Sequence, residues 1–197
     1  MAETIETRPF PPFLPKKATV MMMGTFPPEQ SKRAMEFHYP NFQNDMWRVF
    51  GLVFFDEKDH FRNGEEKAMD PEKIKAFLSE AGIASCPTVL KAIREKGNAS
   101  DAFLKVVEPV LLADVLEQIP DCKHIGTTGG KATEILLSLL PEKVKLPKTG
   151  ETIPFVFNGR ELTLTRLPST SRAYPLSLPK KAEAYKNFFK ACGLKTK

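Results

Sequence analysis

The chain has 197 residues, 42% of them hydrophobic, with a net charge of +5 and a pI near 9.0; it can build one ordinary core over residues 1–197 and admits a polyanionic partner without requiring one. No apolar run approaches the ~20 residues of a membrane span, and the start, MAETIETRPFPPFLPKK, has early acidic residues and no apolar signal core, so neither insertion nor export is expected. Cys86, Cys122 and Cys192 are scattered and odd in number, and the three histidines lack ligand spacing; the expectation is reduced thiols, a cytoplasmic setting, and no metal or cofactor.

Residues 8–17 are rich in proline and should lie extended, anchored by Phe10 and Phe13. Ala18–Met23 is a short apolar run closed by Gly24, which fits a buried strand. Thr25-Phe26-Pro27-Pro28 then makes a stiff turn, and helical order resumes at 44–53. Residues 56–69 are strongly charged and read as a surface loop. Asp70-Pro71 opens a helix, with Asp as N-cap and Pro in the first turn; Ile74, Phe77, Leu78 and Ala81 form its apolar stripe, and Gly82 ends it.

Ile83–Ile93 is ambiguous between strand and loop, and Glu95–Asp101 reads as a turn whose residues 98–101 could cap the next short element. Residues 108–118 read as helix, Cys122–Thr127 as a second buried strand, and Gly130–Leu140 as helix. Residues 152–166 alternate around Asn158-Gly159, the signal of a hairpin with a type I′ turn. A loop over 167–177 leads into a last helix, with Ser177 as N-cap, Pro179 in its first turn and Gly193 as its end. Strands alternating with helices predict a three-layer α/β/α sandwich with a mainly parallel central sheet.

In such sheets ligands bind at the carboxyl ends of the strands. There the sequence crowds Phe26, Phe37, His38, Tyr39, Asn41, Phe42, Gln43 and Asn44. Flat rings and amides beside a strand-end turn suit a pocket for a heteroaromatic base; the same residues also serve as core aromatics and turn formers. Thr127–Ala132 is not a nucleotide P-loop, because Ile125 stands where the first glycine belongs and Ala132 where Ser or Thr should follow Lys131.

Gly24-x-Phe26-Pro27 with Asn44-x-x-Trp47 resembles the first motif region of the uracil-DNA glycosylase superfamily, where G-x-(Asp/Asn)-P is followed by an N-x-F-W helix. Leu167-Pro168-Ser169-Thr170-Ser171 is similar to the superfamily's late H-P-S-P-x-S loop and most similar to the hypoxanthine/mismatch-specific branch. Ile125–Ala132 resembles the strand and G-K-x-A turn between those motifs. The order and spacing hold across nearly the whole chain.

The resemblance implies a monomeric, metal-free DNA glycosylase of base excision repair that hydrolyses the N-glycosidic bond of uracil or hypoxanthine in DNA. Such an enzyme extrudes the base, stacks it, positions water, and supports the leaving base and the phosphates. Thr25, Phe26, Phe37, Tyr39 and Thr128 are the base-binding candidates. Phe26 stands where most members carry the water-activating Asp or Asn, so that role passes to Asn44, with Asp45 as the alternative base or a helix cap. Leu167 replaces the usual histidine, leaving Ser169, Thr170 and Ser171, with Arg172, Lys180 and Lys181, to bind DNA. Arg172–Leu176 is a candidate wedge into the duplex. Two alternatives stay open: a catalytically weak or inactive nucleic-acid-binding relative, and an enzyme of free nucleosides or bases.

Overall fold

In the computed structural model, which describes residues 3–96 and 100–197, the apolar run after Ala18 forms β2 (Val20–Met23), following a short β1 (Ile5–Thr7). All four β2 residues are buried, which places the strand inside the sheet. Its neighbours are β3 (Ile83–Ser85) and β6 (His124–Thr128), both parallel to it. Beyond β6 lies the parallel β8 (Arg160–Leu167), then the antiparallel β7 (Thr152–Phe157), giving the order β3-β2-β6-β8-β7. The β7–β8 turn is the one expected: Asn158 and Gly159 take positive φ values of 48° and 77°, as a type I′ turn demands.

Alternate strand residues serve opposite layers. Val20, Met22 and Leu167 pack with α1 (Met46–Phe55), α2 (Pro71–Ala81) and α5 (Leu178–Ala191). Met21, Met23, Ile125 and Leu164 pack with α3 (Leu112–Gln118) and α4 (Gly130–Ser138). The result is the expected three-layer α/β/α sandwich. The first layer is held by rings, with Phe50 5.1 Å from Trp47 and 5.3 Å from Phe189; each fully buried ring contributes about 1.5–3 kcal/mol.

Asp70 caps α2 as anticipated, its carboxylate accepting the N–H groups of Glu72 and Lys73 at 3.0 and 3.2 Å. Ser177 holds the N-cap position of α5 with extended backbone but makes no side-chain cap bond, and Pro179 lies in the first turn. Residues 97–99, part of the expected turn and cap, lie outside the described residues; Ser100 stands before a 3-10 turn at Asp101–Phe103.

The structure differs from the sequence expectation at the ambiguous stretch. Ile83–Ile93 is two strands split at Cys86-Pro87: β3 in the main sheet, and β4 (Val89–Arg94) in a second one. Residues 108–118 are not one helix either. β5 (Leu104–Pro109) runs antiparallel to β4, and α3 begins only at Leu112. With β1 on the other edge, these strands form a small antiparallel sheet, β1-β4-β5. It is pinned to the carboxyl end of β2: the N–H groups of Thr88 and Val89 donate to the carbonyls of Gly24 at 2.8 Å and Thr25 at 3.2 Å. The second sheet thereby walls one side of the rim where the parallel strands end.

Candidate functional site

A cleft of about 670 Å³ opens at that rim, the position favoured for ligands in such sheets. Its walls come from the turn after β2 (Gly24, Thr25, Phe26), the loop before α1 (Tyr39, Asn41, Asn44), the end of β6 (Thr128), the late loop (Ser169, Thr170, Ser171) and Asp101. The volume lies in the usual range of small-molecule sites and has room for a nucleobase with its sugar and more.

Two loops far apart in sequence meet here through specific bonds. The Asp45 N–H donates to the Thr170 carbonyl at 2.9 Å. The Asp45 carboxylate meets Lys181 Nζ at 3.2 Å, Arg172 Nε at 3.4 Å and an Arg48 terminal nitrogen at 3.7 Å. Lys181 Nζ donates also to the Ser171 carbonyl at 2.9 Å. Asn44 and Ser169 therefore line one cleft.

Asn44 starts α1. Its Oδ1 accepts the Met46 N–H at 2.9 Å and its carbonyl accepts from Arg48 at 3.1 Å. Three residues on, the Trp47 indole N–H donates to the His38 carbonyl at 3.0 Å, so the Asn44-x-x-Trp47 pattern fixes the loop that carries Tyr39. Tyr39 takes a left-handed φ of 52°, a conformation that costs a non-glycine residue about 1–3 kcal/mol and persists only when its surroundings hold it. Its hydroxyl bonds Thr128 Oγ1 at 3.1 Å, across the mouth of β2. Gly24 makes room, since a Cβ there would lie 2.6 Å from the Tyr39 hydroxyl. Burial pushes the Tyr39 phenol up to about 12, so it stays neutral.

His38 anchors the same loop from behind. Its Nε2–H donates to the Pro11 carbonyl at 2.9 Å, which leaves Nδ1 to accept the Ser85 hydroxyl at 2.6 Å. Burial lowers its pKa from 6.5 to about 4. The unfolded chain binds this proton below pH 6.5 while the fold resists it. The stability contribution is thus complete above pH 6.5 and disappears as pH falls toward 4, a loss of about 3 kcal/mol from this ring alone. Urea unfolding followed from neutral pH down to that range should show the decline. The same titration in a His38→Gln variant should be flatter; equal slopes in the two proteins would assign the acid sensitivity elsewhere.

Among the expected base-binding residues, Thr25, Phe26, Tyr39 and Thr128 line the cleft. Phe37 does not: it is 3% exposed, stacks on His38 at 4.6 Å and faces Trp47 at 6.0 Å, a core ring of the α1 layer. Phe26 also leans on the core of the second sheet, beside the Arg94 guanidinium at 5.3 Å. Among the expected DNA-binding residues, Arg172 and Lys180 are exposed. Lys181 is 1% exposed and ion-paired inside the protein, so the expectation that it touches DNA is corrected. Asp45 is likewise 6% exposed and occupied by three cations, and it does not line the cleft, which removes it as the alternative base. Ala173, Tyr174 and Pro175 of the candidate wedge line the cleft mouth, with Lys32 across from the loop before α1.

Asp101 is the site residue that the sequence did not single out. Its Oδ2 accepts the Thr25 hydroxyl at 2.9 Å. Lys131, of the Gly130-Lys131-x-Ala132 turn, donates from Nζ to the Asp101 and Leu104 carbonyls, both at 2.6 Å, and so holds the Asp101 turn against α4. Burial raises the Asp101 pKa, while the Thr25 bond and the charges of Lys131 and Arg94 oppose the rise. In the sequence, an Asp after Gly-Asn-Ala-Ser signals nothing beyond a turn or cap.

No protein-family model matches the chain, and no curated protein matches it in sequence. Its fold is similar to the solution NMR structure of "a putative Uracil DNA glycosylase from Methanosarcina acetivorans", with a TM-score of 0.64 and 21% identity over 96% of this chain and 99% of that one. At that identity the likeness carries the architecture across nearly the full length of both chains.

Proposed function

We propose that the cleft binds a base extruded from DNA and that the protein is a DNA glycosylase hydrolysing the N-glycosidic bond of a deaminated base. The observation that carries this reading is the meeting of Asn44 and the Ser169–Ser171 loop at one open cleft with room for a nucleobase. Tyr39 and Phe26 supply ring faces, and a base stacked on an aromatic side chain gains about 1–3 kcal/mol. The half-buried Ser169 and Ser171 hydroxyls of the late loop suit phosphate oxygens, Thr170 being only 2% exposed; Lys32 puts positive charge at the mouth, and Arg172 is exposed in the segment that follows the loop. The neighbour's name agrees with this reading. In it the chain works as one domain and as a monomer, in the cytoplasm, with DNA as its partner. The late loop's likeness to the hypoxanthine/mismatch-specific branch makes hypoxanthine and uracil the first substrates to offer.

The test is a panel of duplexes holding hypoxanthine, uracil or xanthine opposite each normal base, with alkaline cleavage of abasic product as the readout. Excision of at least one of these bases is expected. The replacement of the polar motif-one residue by Phe26 favours one rival, a binder without activity. Salt-dependent binding to DNA, with no abasic product at stoichiometric protein, would establish that rival instead.

A further inference from the structure

We propose that Asp101 is the general base of this cleft, the group that takes the proton from the attacking water. The inference rests on the glycosylase reading and adds to it a residue from outside all three motif regions. Hydrolysis of the glycosidic bond joins the water oxygen to C1′, and the C1′–N bond breaks with its electron pair leaving on the base. One water proton must go to the protein. A base suited to this is a partly buried carboxylate whose pKa has been moved toward neutrality.

The cleft offers one such group. Among the described lining residues the remaining polar side chains are hydroxyls, amides, two phenols and the ammonium of Lys32. Neither a Ser or Thr hydroxyl nor an Asn amide accepts a proton at neutral pH, and the Tyr39 phenol titrates only near 12. Asn44 can orient a water but cannot deprotonate it, and its Oδ1 already accepts the Met46 N–H. Asp45, the carboxylate nearest in sequence to the motif, is enclosed by Arg48, Arg172 and Lys181.

Asp101 is also built into its place. Thr25 holds its Oδ2 from the end of β2, next to Phe26, and Lys131 fixes its backbone from α4. The turn after β2 has no acidic side chain of its own, and the carboxylate reaches that turn from a segment 76 residues away. The charged and titratable groups facing it are Lys131 from α4, Arg94 from β4 and Tyr39 from the loop before α1. Burial raises its pKa against the two cations and Thr25. Ionised Asp101 is the active form, so the excision rate should climb with pH through its pKa and then level off.

Single-turnover excision should be measured from about pH 4 to 8 on whichever duplex the wild type cleaves. Asp101→Asn should lower the rate at neutral pH about 100-fold or more and flatten the acid limb, while leaving affinity for undamaged duplex unchanged. Thr25→Val keeps the carboxylate but removes the bond that stabilises its charge, so the acid limb should move to higher pH. Wild-type excision with Asp101→Asn only a few-fold slower and the limb intact would overturn the assignment and leave the glycosylase reading standing. An unmoved limb in Thr25→Val would do the same. Absence of excision by the wild type on every duplex would overturn both.

Discussion

Asp45→Ala is expected to cost about 3–5 kcal/mol of folding stability, more than Lys181→Ala at the other end of the same ion pair. The asymmetry follows from where each charge sits. Lys181 is 1% exposed, and among the described residues Asp45 is its one carboxylate partner, 3.2 Å away. Removing Asp45 leaves an ammonium buried with only the Ser171 carbonyl to receive it. Removing Lys181 leaves Asp45 with Arg172 at 3.4 Å and Arg48 at 3.7 Å, so the carboxylate stays compensated. For a chain of this length each kcal/mol moves Tm by about 2–4 °C, so Asp45→Ala should melt roughly 10 °C early. Because uncompensated charge is the cause, pairing Asp45→Asn with Lys181→Met should recover most of the loss, as apolar replacement of a buried ion pair commonly does. If Asp45→Ala unfolds within about 1 kcal/mol of the wild type, the pair is behaving as an exposed one and the account is wrong. The stakes reach the cleft, since Lys181 and Asp45 are what tie the late loop to the start of α1.

The elements legible in the sequence are those whose signals are local. β2 showed as an apolar run stopped by Gly24, α2 through Asp70 and Gly82, and the β7–β8 hairpin through Asn158-Gly159. The second sheet was hidden because its strands depend on distant partners. β4 follows β3 after only Cys86-Pro87-Thr88, and its partners β1 and β5 lie on opposite sides of it in sequence. Val110 and Leu111 read with Val115 and Leu116 as one helical face, yet the first two lie between β5 and α3.

The site divides in the same way. Asn44 and the late loop follow from motif order. Lys181 reads as part of a basic surface run because its counter-charge is 136 residues away, and no pattern within α5 distinguishes it from exposed Lys180. Phe37 and Tyr39 are equivalent as letters. The left-handed backbone at Tyr39 and the Trp47 bond to the His38 carbonyl send one ring to the cleft and leave the other in the core. Asp101 depends on a Thr25 contact that only the folded second sheet brings about.

Asn44→Ala should lower single-turnover excision about 100- to 1,000-fold, the usual cost of losing one preorganised polar contact to the reacting groups. Asn44 has two jobs that a simple deletion confounds. Its Oδ1 accepts the Met46 N–H at 2.9 Å from the position before the Asp45 N-cap and so supports the first turn of α1, a bond worth about 1 kcal/mol. Its NH₂ group lies outside that bond and is the donor available to a water or a base edge. Asn44→Ser separates the two, because a serine hydroxyl can accept the same N–H but brings no amide. The expected result is a Ser variant that melts close to the wild type and excises as poorly as the Ala variant. Near-normal excision by Asn44→Ser would reduce Asn44 to a helix-starting residue and leave the water to be held by Asp101 and the late loop alone.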